Sequence, residues 1–92
     1  MKFTIHLRKV NPGLTSPRLE KADLVLNIEG KIFKQEILSD RTLSENLLPA
    51  IDKLLKKAKL KTMPEFFVEC DEDTSVISCN IARATAKALN LK

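Results

Sequence analysis

Apolar and polar residues alternate at the start of the chain, with Phe3, Ile5 and Leu7 on one side and Thr4, His6 and Arg8 on the other. A period of two marks a half-buried strand, here of about eight residues. Pro12, Gly13, Ser16 and Pro17 then disfavour regular structure, so residues 11–21 read as a loop. A second strand is predicted over Ala22 to Ile28, with Leu24, Leu26 and Ile28 on one face. Glu29-Gly30 supplies a tight turn into a third strand, Lys31 to Leu38, which makes the pair a β-hairpin.

After residue 42 the apolar spacing changes to three and four. Leu47, Leu48, Ile51, Leu54, Leu55 and Ala58 form the stripe of an amphipathic helix. Thr42 and Glu45 fit a capping box, which places the helix start near Leu43. Pro49 is discordant, because it removes a hydrogen bond and crowds the carbonyl of Glu45; it predicts a kink or a start at Asn46. Pro64 closes the connector, and Phe66, Phe67 and Val68 read as a short interior strand. A second helix is predicted from about Ser75 to about Leu89, with Asp73, Thr74 and Ser75 able to cap it. It carries Ser78, Ala82, Thr85 and Ala86 near one face and Ile77, Ile81, Ala84 and Ala88 on a neighbouring one. A chain of this length cannot easily cover both helices on all apolar sides. Either both faces serve the domain's own core, or one helix face, with the Leu47–Leu54 stripe, meets another subunit.

The stretch between the last strand and the last helix, ECDEDTSVISCN, raises a chemical question. Phosphate-binding folds usually place glycines at such a turn, where free N–H groups and the helix dipole favour an anion. Here Asp71, Glu72, Asp73 and neighbouring hydroxyls occupy those positions, and their charge opposes a phosphate. The turn is expected to satisfy its own donors.

Ninety-two residues fit one domain, 1–92, with one core. No apolar run approaches the roughly 20 residues that span a bilayer, and MKFTIHLRKV is too charged for a signal peptide, so a cytoplasmic, non-membrane protein is expected. Cys70 and Cys79 fall on different predicted elements without CxxC spacing and read as buried free thiols. The formal charge of +4 is unevenly placed. Lys53, Lys56, Lys57, Lys59 and Lys61 crowd one helix end, and Glu69, Asp71, Glu72 and Asp73 the next turn, both patterns that complement helix dipoles. The lysines also offer an RNA-binding surface, although no Trp or Tyr is present to stack on a base. His6 is the only histidine and has no readable nucleophile partner, and the acids lack the spacing of a calcium loop. No catalytic set, metal or cofactor is predicted.

Two stretches carry a family resemblance: Ser44-Glu45-Asn46-Leu47-Leu48-Pro49 and Ala84-Thr85-Ala86-Lys87. The first resembles "HSENLLP" and the second "ATAK" in the N-terminal domain of the TsaB (YeaZ) family, bacterial partner proteins in the synthesis of tRNA threonylcarbamoyladenosine. The resemblance covers roughly residues 22–92. It departs where the family has a glycine-rich "GPGSFTG", of which only Ser75 is retained. It implies an α/β, ribonuclease-H-like (actin-like) half-domain of order β-β-β-α-β-α, a three-stranded antiparallel meander plus a further strand with helices packed on the sheet. It also implies a non-catalytic scaffold, a homodimer or a heterodimer with a TsaD-like protein, with tRNA an indirect partner. The interface would use Leu47, Leu48, Ile51, Leu54, Leu55, Ile77, Ile81, Ala82 and Ala86 on the two helices. A small basic RNA-binding domain is the alternative.

Overall fold

A computed structural model describes residues 1–10, 19–39, 42–60, 62–72 and 74–91. Most of the expected loop after the first strand, and Lys61 and Asp73, lie outside the described residues. The elements are β1 (Lys2–Val10), β2 (Leu19–Ile28), β3 (Lys31–Leu38), α1 (Leu43–Lys57), β4 (Glu65–Cys70) and α2 (Val76–Asn90). The chain is an α/β protein with a mixed four-stranded sheet in the order β3-β2-β1-β4. β1 runs antiparallel to β2 and parallel to β4, and β2 and β3 form the hairpin.

Alternation decides which face of each strand meets the helices. Phe3, Ile5 and Leu7 of β1 and Ala22, Leu24 and Leu26 of β2 are fully buried. The helices cover them with Leu43, Leu47, Ala50, Ile51 and Leu54 from α1 and with Cys79, Ala82, Ala86 and Leu89 from α2. The Phe3 and Phe66 rings pack at 5.1 Å between centroids. Burying one of these large side chains is worth roughly 1.5–3 kcal/mol, so the stripe read from the sequence is where the stability resides. Thr4, His6, Arg8, Asp23, Lys34 and Glu36 take the alternate positions and line the opposite face of the sheet.

Local geometry departs from expectation in four places. The Thr42 capping box does not form, since Thr42 is the N-cap without a side-chain cap bond and its Oγ1 accepts from Asn46 Nδ2 at 2.8 Å. The helix nevertheless starts at Leu43 and continues through Pro49, so the later start at Asn46 is not adopted. β4 is not interior but an edge strand, because its parallel pairing uses only the β1 side. Cys70 and Cys79 are not free thiols: they form a disulfide across nine positions of sequence, Cα atoms 6.2 Å apart. The end of β4 and the first turn of α2 lie side by side, a proximity that sequence spacing does not reveal.

Candidate functional site

α2 packs chiefly on β4 and α1 on β3, and between the helices the contact is thin. Leu48 stands in that gap, about half exposed at 51%. It separates two shallow apolar hollows, one lined by Ala84, Thr85, Ala88 and Leu89, the other by Ile51, Asp52, Leu55, Met63 and Leu89. Its position follows from the helix period. Leu47, Ile51 and Leu54 point at the sheet, and Leu48, one residue round the helix, is turned sideways toward α2.

The residues expected at a partner interface divide by this geometry. Leu47, Ile51, Leu54, Ala82 and Ala86 lie in the domain's own core, so their apolar character is accounted for by packing on the sheet. Leu55 and Ile81 are partly buried against that core, while Leu48 and Ile77 are exposed. Met63, which the sequence does not point to, lines the hollows with Ala84 and Ala88, which the sequence places on one face of the second helix with Ile77 and Ile81. The signal for Ala84 and Ala88 is their spacing of four on one helix side.

Lys53, Lys56, Lys57 and Lys59 are all exposed. Lys56 is paired with Asp52 one turn earlier at 2.9 Å. Lys59 has a left-handed backbone, φ 55°, just past the helix end.

At the turn before α2 the described donors are met partly by the turn itself and partly by the sheet. Ser75 is the N-cap and its Oγ accepts from the Ser78 N–H. The Asp71 carbonyl accepts from Thr74 Oγ1 at 2.8 Å, the Asp71 N–H donates to the Leu7 carbonyl at 3.0 Å, and the Asp71 carboxylate lies 2.7 Å from His6 Nε2. The acid that meets the helix N-terminus is Glu20 of β2, whose Oε1 accepts from the Ser75 N–H at 2.5 Å. The turn's own acids are not in the first turn of α2.

On the open face of the sheet Arg8 bridges Asp23, at 2.5 Å, and Glu36, which also accepts from Lys21 at 2.6 Å. The hydrogen bond from Lys21, with the charges of Lys21 and Arg8, holds the Glu36 carboxyl below its ordinary value. The bond to Asp23 raises Arg8 correspondingly. These are structural ion pairs, since each charge is matched by neighbours on adjacent strands. Among the described residues no group of three or more His, Cys, Asp or Glu is placed to hold a metal, and no helix is long and apolar enough to cross a membrane.

Comparison with protein-family models, curated proteins and solved structures finds no match to this chain at a significant level.

Proposed function

We propose that the chain is a non-catalytic interaction module that receives an apolar helix of its partner in the gap between α1 and α2. The observation that carries this reading is Leu48, a large apolar side chain half exposed between two apolar hollows. Scattered exposed leucines are ordinary, but one flanked by Met63, Ala84 and Ala88 makes a continuous apolar strip. The small residues on α2 leave room for a close helix approach. The element order is compatible with a ribonuclease-H-like half-domain. With the TsaB-like motifs, the partner on this reading is a TsaD-like protein or a second copy, and the setting is tRNA threonylcarbamoyladenosine modification in the cytoplasm. The Cys70–Cys79 bond pulls against that address, because disulfides persist chiefly in oxidising compartments.

Leu48→Glu tests the gap directly, since the residue makes little of the core. Mixed with the host's TsaD-like protein, the native chain is expected to form a complex by light scattering, and the folded variant to lose it. A folded Leu48→Glu chain that binds as well as the native one sinks the assignment.

A second reading rests on the exposed lysines: a small RNA-binding domain using Lys53, Lys56, Lys57, Lys59 and Lys61. It requires tRNA affinity that falls steeply with salt and weakens when these lysines are neutralised. Absence of binding at low salt removes it.

A further inference from the structure

The two edges of the sheet are treated differently. At β4 the side chain of Asn90 occupies both outward backbone groups of Phe66. At β3 no described strand pairs with the outer edge, and the strand runs from Lys31 to Leu38 in unbroken register with β2, without proline, glycine or bulge. An edge of that kind is a template for pairing with another strand. Its open face also exposes Ile32, at 61%, and Leu38, at 50%.

Backbone direction restricts what can pair there. Glu29 and Gly30 both have positive φ, 46° and 87°, so the hairpin closes with a two-residue turn and Ile28 and Lys31 form a hydrogen-bonded pair. The odd-numbered residues of β3 therefore direct N–H and C=O toward β2. The Ser39 N–H bond to the Glu20 carbonyl, 2.9 Å, continues the same ladder. Ile32, Lys34, Glu36 and Leu38 direct theirs outward. An antiparallel second copy must then set even residues opposite even ones.

Three such registers keep the middle of the strand paired. Centring on position 34 opposes Lys34 to Lys34 of the second copy, and centring on position 36 opposes Glu36 to Glu36; like charges directly opposite destabilise both. Centring on Gln35 opposes Lys34 to Glu36 twice, and Ile32 to Leu38 twice, all on the open face. On the helix-covered face it opposes Phe33 to Ile37, both only partly buried in the single chain. Glu36 remains accessible for this, with 45% of its side chain exposed despite its bonds to Lys21 and Arg8. One register thus matches charge, apolar surface and backbone direction together.

The geometry points to a two-fold homodimer in which β3 pairs antiparallel with β3 of a second copy about Gln35, doubling the four-stranded sheet. This surface is separate from the gap between the helices, and the inference does not depend on the reading of that gap.

The test is sedimentation equilibrium of the whole chain from micromolar to near-millimolar concentration. The native chain is expected to reach twice the single-chain mass. Lys34→Glu, at an exposed position and with its fold checked by circular dichroism, is expected to weaken association at least tenfold, because it sets a carboxylate of one chain against Glu36 of the other. Gln35→Cys is expected to cross-link two chains on mild oxidation, because residues facing each other on the axis in a non-hydrogen-bonded pair have Cα atoms about 4.5 Å apart. Ile32→Cys, which faces Leu38, is expected not to cross-link. A native chain monomeric throughout overturns the proposal. So does a dimer indifferent to Lys34→Glu with no Gln35→Cys cross-link. Association abolished by Leu48→Glu and untouched by Lys34→Glu would assign self-association to the helices instead, again overturning it.

Discussion

Asn90 acts as a one-residue strand for Phe66. Its Nδ2 donates to the Phe66 carbonyl at 3.0 Å while its Oδ1 accepts from the Phe66 N–H at 2.9 Å, so the last residue of α2 locks onto the outer edge of β4. Asn90→Ala leaves both backbone groups without that partner and is expected to cost about 1–3 kcal/mol. Asn90→Asp retains an acceptor but not the donor, and should fall between the two. Urea denaturation of the three proteins ranks them; an Asn90→Ala chain as stable as the native one would show that water replaces the amide without loss.

The Cys70–Cys79 bond closes a short loop that includes the acid turn. Loop-closure entropy for such a ring corresponds to on the order of 2–3 kcal/mol. Replacing both cysteines by serine is expected to lower the melting temperature by roughly 10–20 °C, given the usual conversion for a chain of this size. Reductant should lower the melting temperature of the native chain and leave that of the double variant unchanged.

The end of α1 forms a Schellman turn with a lysine where glycine is preferred. Lys59 N–H donates to the Lys56 carbonyl and Leu60 N–H to the Leu55 carbonyl, while Lys59 takes φ 55°. A side chain in that left-handed region costs roughly 1 kcal/mol relative to glycine. Lys59→Gly is therefore expected to raise stability by about 0.5–1 kcal/mol in the same denaturation assay, a surface substitution with a stabilising sign.

Glu36 predicts a pH dependence. Its folded pKa is lowered by Lys21 first and Arg8 second. Protons then bind more readily to the unfolded chain, so the stabilisation is present above the ordinary glutamate value, about 4.3, and is lost as pH falls through the lower folded value. Glu36→Gln should flatten that part of the acid-unfolding curve and leave stability near neutral pH only slightly lower. An unchanged acid limb would mean that the ion pairs are screened in solution.

Local order in the chain is legible from its residues, and contacts between distant segments are not. The alternation of Phe3, Ile5 and Leu7 and the three-and-four spacing of Leu47, Ile51 and Leu54 identify the buried faces, because periodicity records which side of an element loses water. The hairpin arm Lys31–Leu38 and the Ser75 cap are readable for the same reason: turn and cap chemistry is local. Strand order is not local, so Phe66 and Phe67 read as an interior strand although Phe67 is 41% exposed on an edge. The Cys70–Cys79 bond and the reach of Glu20 to Ser75 depend on how separate elements are set side by side, and no spacing rule contains that. At the gap between the helices the sequence identifies the two helices but not which leucine faces out. Leu47 and Leu48 are neighbours in an apolar run, and only the packing direction separates them.

The same disulfide changes what a protease can accomplish. A single cut between residues 70 and 79 divides the backbone but leaves the β4 side and the α2 side joined through sulfur. The nicked chain would keep α2 seated on the sheet and migrate as one band on a non-reducing gel, parting into two fragments only when a thiol is added.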